Sequence, residues 1–554
     1  MSKLKTQDML AMAFEAEGVD TLFTLMGDAN MYWSTAMAER PGMRVIHARH
    51  ESCAVSMAEG YARASGKVGV CSVTHGPGLA RLSLSLIAAA RSRTPIVVHT
   101  ATTTFNDERE VQYLNQDRFV AASESGYIEV MKPGYAEEAV RQAFYRARVE
   151  SRPIVLSIPV DVAGKDCDSE GEDYVPSSEH YGPQQKIRPA LDRVEQAVKV
   201  ISEAKRPVII LGRGAKEPQA RDAADRLGKR IGALIATTLL AKGTLNDSEW
   251  YTGVSGLFAT RAAMALYQEA DCVIAIGAGL NIRTLGGGYT YPNARIVHID
   301  VQPHLLLGTD RAADCYVQGD AAETVTEIEG KLAKQGVQRD GFRTAATRNA
   351  LRGSFRDPGE FEIEPGTVDI REVLTVLDEK LPSSVGLVTG SAHNFTFPMW
   401  HMHRPRVFQV SVTSFTGVGQ VIGNAIGAAV ASKDPVVAVD GDGSSLQNIQ
   451  ELDTAARLGV KLLYCIVNDE AYGAEYHKLR AKGLDGNLSA VPTPDLGALA
   501  RAFGCRGRQA KTLDEVAAGI DEFMKGDGPM VLDVRISRNV ISIPYRRLHF
   551  GQDV

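Results

Sequence analysis

The sequence predicts an α/β fold of three doubly wound parallel-sheet units, and three observations lead there. The chain has 554 residues, more than one core holds when domains run to roughly 100–200 residues. Short apolar runs recur along it and end in Gly, Thr or Asp. Helical stretches separate these runs, the alternation expected of parallel strands covered by helices on both faces.

Taken in order, the N-terminal MSKLKTQDMLAMAFEAEGVD reads as an amphipathic helix without the apolar core and cleavage site of a signal peptide. KVGVCSVTHGPG, TPIVVHT and RPIVLSIPVDV follow as buried strands of a first unit, residues 1–165. Residues 163–190 turn polar and rich in Pro and Gly, which marks a linker. AKRPVIILGRGA, ADCVIAIGAGLN and ARIVHIDVQP form a second unit, residues 188–332. Residues 333–366 lose the strand pattern and make a second connection with a helix inside it. A third unit, residues 367–545, holds SSVGLVTGS, PVVAVDGDGSS and VKLLYCIVNDEAYG.

Composition narrows the partners. With 44% hydrophobic and 23% charged residues and a formal charge of −6, the chain is an ordinary globular protein, and its charge argues against a nucleic-acid or anionic-membrane surface. Seven cysteines stand singly without a CxxC pair, which suits buried, reduced thiols in a cytoplasmic protein. No run of about 18 apolar residues occurs, so no transmembrane segment is expected. Small molecules and further copies of the chain are the expected partners.

The third unit carries the strongest chemical signal. PVVAVD reads as a strand, Gly441-Asp442-Gly443 as the turn at its end, Ser444-Ser445 as a helix cap and LQNIQELDTAARLG as the helix that follows. KLLYCIV is the next strand, so Asn468-Asp469 should emerge beside Asp442 at the carboxyl edge of the sheet, where α/β folds place ligands. Hard oxygen donors beside a glycine turn and a helix N-terminus suit a magnesium ion bridging to a phosphate.

GDG, then 24 residues from Ser444 to Val467, then Asn468-Asp469 resembles the signature of the thiamine diphosphate-dependent enzymes. RHESCAVSMAEGYARASGK and THGPGLARLS resemble the N-terminal motifs of the same family, the group of acetolactate synthase, benzoylformate decarboxylase and pyruvate decarboxylase. The likeness runs through all three units, implying a pyrimidine-binding, a central and a diphosphate-binding domain, and the chain is nearest in pattern to acetolactate-synthase-like proteins.

The resemblance implies a metal bound by Asp442, Asp469 and the carbonyl of Ala471; asparagine is usual at the position of Asp469, and a carboxylate there keeps an oxygen donor while adding charge. It gives Glu51 the task of bonding the far pyrimidine nitrogen, so that the cofactor's amino group, as its imino tautomer, takes the proton of the thiazolium carbon. Gly78 belongs to the GPG turn beside the cofactor, and Val418 sits at the wedge position under its two rings. Ser391, His393, Gly441, Gly443, Ser444, Ser445, Tyr472 and Gly473 are the implied neighbours of the diphosphate. The family builds each site from two subunits, which implies a homodimer or homotetramer.

The implied substrates are 2-oxo acids, with two outcomes open: carboligation to an acetohydroxy acid or acyloin, or release of an aldehyde. Asp28 and Glu475 match catalytic acids of the pyruvate decarboxylases and favour proton handling. The paired histidines of those enzymes are absent, and Asn115 and Gln116 stand in that region; Gln116 and His75 complete the candidate catalytic set. The central glycine turns and the strand-terminal Asp300 raise FAD or another nucleotide as a second ligand, and with it the alternative of a nucleotide-binding dehydrogenase or regulator.

Overall fold

The computed structural model describes residues 4–104, 107–167, 173–183, 185–302, 312–390 and 393–552. Its strands number eighteen among these residues and form three six-stranded, all-parallel sheets, as the alternating pattern predicts. The first sheet contains β1 (Thr21–Leu25), β2 (Arg44–His47), β3 (Gly69–Val73), β4 (Ile96–Thr102), β5 (Gly126–Glu129) and β6 (Pro153–Pro159), in the order β2-β1-β3-β4-β6-β5. The second contains β7 (Pro207–Leu211), β8 (Leu234–Thr237), β9 (Tyr251–Val254), β10 (Cys272–Ile276), β11 (Arg295–Asp300) and β12 (Cys315–Gln318), in the order β9-β8-β7-β10-β11-β12. This is the strand order of dinucleotide-binding folds.

The third sheet contains β13 (Gly386–Thr389), β14 (Gln409–Ser411), β15 (Val436–Gly441), β16 (Leu462–Asn468), β17 (Arg506–Ala510) and β18 (Met530–Arg535). Its order, β14-β13-β15-β16-β18-β17, repeats that of the first sheet position for position. Strands β3, β6, β7, β10 and β16 are buried along their whole length, which explains their unbroken apolar sequences. All seven cysteines are free and buried.

The first and third sheets share one hydrophobic core, joined by the helices that follow the second strand of each, Glu51–Ser65 and Val421–Ala431. Their axes approach at glycines. A Cβ on Gly60 would lie 2.0 Å from the Asn424 carbonyl oxygen, and one on Gly427 would lie 1.9 Å from that of Met57. Small residues therefore follow Glu51 because another helix backbone occupies the space that side chains would need.

The N-terminal helix spans Thr6–Ala16, and residues 333–366 contain the helix Ala345–Leu351. One local expectation fails. The segment after GDG is not one helix capped by the two serines: Asp442–Ser445 is itself a helical turn, and the next helix starts only at Glu451. Side-chain bonds hold the intervening turns, with Ser445 Oγ donating to the Gly441 carbonyl at 2.7 Å and Asn448 Nδ2 to the Gly419 carbonyl at 2.6 Å. Polar side chains that bond nearby backbone compete with helix in this way.

Candidate active site

Strands β15 and β16 pair in parallel with Gly441 opposite Val467, so Asp442 and Asp469 leave the sheet side by side. Both are buried, and their carboxyl groups lie within hydrogen-bonding reach of each other. Among the described residues neither forms an ion pair. Burial pushes both well above the usual carboxylate range; the Asp442 charge pushes Asp469 up further, while their shared hydrogen bond favours the ionised form of Asp442.

The chain around Asp469 is shaped by backbone constraints. Glu470 takes a left-handed conformation (φ 51°), the Ala471 N–H donates to Asp469 Oδ1 at 3.1 Å, and Ala471 bridges to Ala490. Asn468 is spent on structure, its Nδ2 donating to Asp533 Oδ1 and Thr493 Oγ1, both at 2.9 Å. A Cβ on Gly473 would lie 2.5 Å from Asp469 Oδ2, and one on Gly443 would lie 3.0 Å from the Tyr472 ring. These two glycines keep the cradle open.

The site lies at the topological switch of the sheet, between β13 and β15. His393, just beyond β13, is buried with both ring nitrogens unpartnered among the described residues. Burial, with His477 and His549 nearby, pushes its imidazole well below the ordinary range. Ser391 lies outside the described residues. Half-buried Val418 is held beside the GDG turn, because the N–H of Gly419 donates to Ser444 Oγ at 2.9 Å. Ser444 in turn donates to Asp440 Oδ2 at 2.9 Å.

The donor chemistry fits a magnesium-bridged diphosphate. Two desolvated carboxyls without an ion-pair partner and an imidazole without a hydrogen-bond partner among the described residues meet a neighbouring carbonyl and glycines that admit a ligand in one crevice. No group of three or more His, Cys, Asp or Glu side chains among the described residues is arranged to hold a metal. The expected set has only two such side chains, so remaining oxygens would come from backbone and ligand.

Glu51 opens its helix, with the His50 imidazole accepting from the Ser52 N–H at 3.2 Å as the cap. Its carboxylate is 11% exposed and Oε2 accepts from Arg81 Nη1 at 3.2 Å. Buried Glu451 fixes the start of this helix from the third domain, Oε1 accepting from the N–H groups of Arg49 (2.8 Å) and His50 (2.9 Å). Within the chain, Glu51 and Asp442 share no hydrogen bond or ion pair.

Asp28 and His75 meet at the equivalent switch of the first sheet, beyond β1 and β3. A Cβ on Gly27 would lie 2.7 Å from that of Thr74. Burial pulls the His75 imidazole down, while the negative charges of Asp28 and Glu110 oppose that shift. Gly78 is buried in the helical turn Pro77–Ala80, packed on Thr74. The Gln116 amide faces the sheet: Nε2 donates to the Ala101 carbonyl at 2.7 Å and Oε1 accepts from Ser157 Oγ at 3.2 Å. Glu475 is exposed in the first turn of the Gly473–Ala481 helix, 3.8 Å from Lys478.

Sequence reasoning missed Arg81, Glu451 and Asp440. Asp440 is the first acid of the Asp-Gly-Asp-Gly run; burial, only partly offset by bonds from Tyr464 and Ser444, pushes it up to about 7. Its doubling in the motif was the available signal. Arg81 stood inside the quoted THGPGLARLS without a visible partner.

The central sheet has its own switch point between β7 and β10, where Gly212 and Gly277 touch closely enough that a Cβ on Gly212 would lie 2.0 Å from the Gly277 oxygen. A cavity of about 520 Å³ opens there, lined by Arg91, Arg213, Gly279, Arg283 and Asp300 among others. No helix of the described residues is long and apolar enough to cross a membrane.

Fold and sites together define an enzyme of three doubly wound α/β domains, with ligand crevices at the sheets' carboxyl edges. The chain belongs to the thiamine pyrophosphate enzyme family. Its residues 4–122 match the N-terminal TPP binding domain of these enzymes, 194–328 the central domain and 385–534 the C-terminal TPP binding domain. It is similar to the acetolactate synthase large subunit of Parasynechococcus marenigrum, 30% identical over 547 residues covering 95% of this chain and 86% of that one. The probable acetolactate synthase large subunit of Methanocaldococcus jannaschii is 28% identical, covering 96% and 92%. The isozyme 2 large subunit of Escherichia coli is 27% identical, covering 95% and 94%.

Proposed function

We propose that this enzyme uses thiamine diphosphate and magnesium to decarboxylate a 2-oxo acid and ligate the remaining acyl unit to a second carbonyl compound, as an acetolactate-synthase-like carboligase. One observation carries the reading: the side-by-side buried carboxyls of Asp442 and Asp469 beside the GDG turn, with no ion-pair partner among the described residues. Asp442, Asp469 and the Ala471 carbonyl would hold magnesium, with Gly441, Gly443, Ser444, Ser445, His393, Tyr472 and Gly473 around the diphosphate. When bound, thiamine diphosphate supplies the acidic thiazolium carbon and the electron sink for loss of carbon dioxide. Glu51 would hold or yield a proton at the far pyrimidine nitrogen, and Val418 would support the rings.

A second outcome, aldehyde release, draws support from Asp28 and His75, an acid and an imidazole grouped at one switch point. His75 is held toward its neutral form by burial, as a proton acceptor needs. Flavin or another nucleotide in the central cavity is supported by its arginines and by Asp300. Family membership leaves the dehydrogenase or regulator reading without support of its own. A cytoplasmic homodimer or homotetramer completes the proposal, with residues 1–165 of one subunit facing 367–545 of another; exposed Tyr32, Tyr472, Leu484 and Leu488 are suited to that contact.

Calorimetry with thiamine diphosphate, with and without magnesium, tests the cofactor. Mass spectrometry of products from a panel of 2-oxo acids, with and without carbonyl acceptors, tests the reaction. Magnesium-dependent binding and acetohydroxy acid products are expected. Aldehyde alone would favour the second outcome, and absence of binding would overturn the reading.

A further inference from the structure

Glu51 has two carboxylate oxygens, and the protein uses only one. Oε2 accepts from Arg81 Nη1 at 3.2 Å, while Oε1 has no donor among the described residues. Arg81 is 60% exposed and its guanidinium has no other partner there. It emerges from a turn with little freedom. Gly76 has φ 55°, a Cβ on it would lie 2.1 Å from the Gln112 oxygen, and one on Gly78 would lie 2.8 Å from Thr74 Cγ2. The GPG turn thus delivers a cation to one side of Glu51 and leaves the other side open.

We propose that Arg81 is a positioning residue for Glu51: it holds Oε2 so that Oε1 faces the pyrimidine. The inference rests on the thiamine diphosphate reading above. A carboxylate accepts from two donors at once, so Arg81 stays in place when a ring nitrogen engages Oε1. The other titratable groups around Glu51 are His50 and Cys53 on its own helix and Glu451 from the third domain. His50 is turned to cap the helix and Glu451 to the backbone of residues 49 and 50, which leaves Arg81 as the group that contacts the carboxylate.

The test uses the full chain with thiamine diphosphate and magnesium, following protonation of the bound aminopyrimidine by near-ultraviolet circular dichroism across pH, with affinity from calorimetry. Loss of an aligned carboxylate disfavours the protonated ring, so Arg81→Gln should lower the titration midpoint by about half a pH unit or more. Arg81→Lys should restore most of the wild-type midpoint. Turnover of Arg81→Gln should fall several-fold with KM and cofactor affinity nearly unchanged. Equal midpoints for wild type and Arg81→Gln, or the rise expected of losing a nearby cation alone, would overturn the assignment alone. Failure of the wild type to bind the cofactor would overturn the functional reading and this assignment with it.

Discussion

The first and third sheets have the same strand order and the same switch point, yet their carboxyl edges are equipped for different work. Beyond its first and third strands the first sheet carries Asp28 and His75, and beyond its second strand Glu51. At the corresponding places the third sheet carries His393, the GDG turn and the helix Val421–Ala431. A parallel α/β sheet opens a crevice wherever its strand order reverses. What the crevice does depends on the residues at its rim. Here one edge gathers acid–base groups and the other gathers buried carboxyls, glycines and a neutral imidazole.

The comparison makes its largest prediction at Glu51. Glu51→Gln should lower turnover by at least about 10²-fold, in the range of lost acid–base catalysis, while calorimetric affinity for thiamine diphosphate stays near wild type. Asp442→Ala should do the reverse at the other edge and abolish magnesium-dependent affinity. If both variants lose affinity alike, the division of labour between the edges fails.

Smaller effects probe the seam that joins the two sheets. Gly427→Ala and Gly60→Ala each drive a methyl group into opposing backbone at about 2 Å. Each should destabilise the chain by about 1–3 kcal/mol, the usual cost of overpacking, seen as a lower thermal midpoint. Unchanged midpoints would mean that the helices do not pack so closely.

The smallest effect belongs to the joint with the central domain. Lys242 is buried there, donating to the Met402 carbonyl and to Gln409 Oε1. Burial, with Arg406 opposing and Asp378 favouring the charge, lowers its ammonium from 10.5 to about 8. Folding therefore releases a proton between these values, and the unfolded chain binds more protons. Stability should rise as pH increases from about 8 to about 10, and Lys242→Met should flatten that slope in urea unfolding. A slope that persists in the variant would assign it elsewhere.

Much of this was legible in the sequence. Apolar runs identified the parallel strands, and the 24-residue spacing put Asp442 and Asp469 on adjacent strand ends, because strand, helix and returning strand consume about that length. Hidden features depend on contacts across long separations. Glu451 anchors the Glu51 helix from some four hundred residues away, and Arg81 meets Glu51 only once β3 and its turn lie beside that helix. The broken helix after GDG was unreadable for a local reason: its helical periodicity is genuine, but Ser445 and Asn448 have better partners in the tertiary structure.

Mixing two inactive variants tests most directly whether one site draws on both edges from different subunits. Chains carrying Glu51→Gln and chains carrying Asp442→Ala, dissociated and reassembled together, should regain part of wild-type turnover, because hybrid assemblies then contain sites with both native acids. Silence after verified subunit exchange would contradict a site shared between chains.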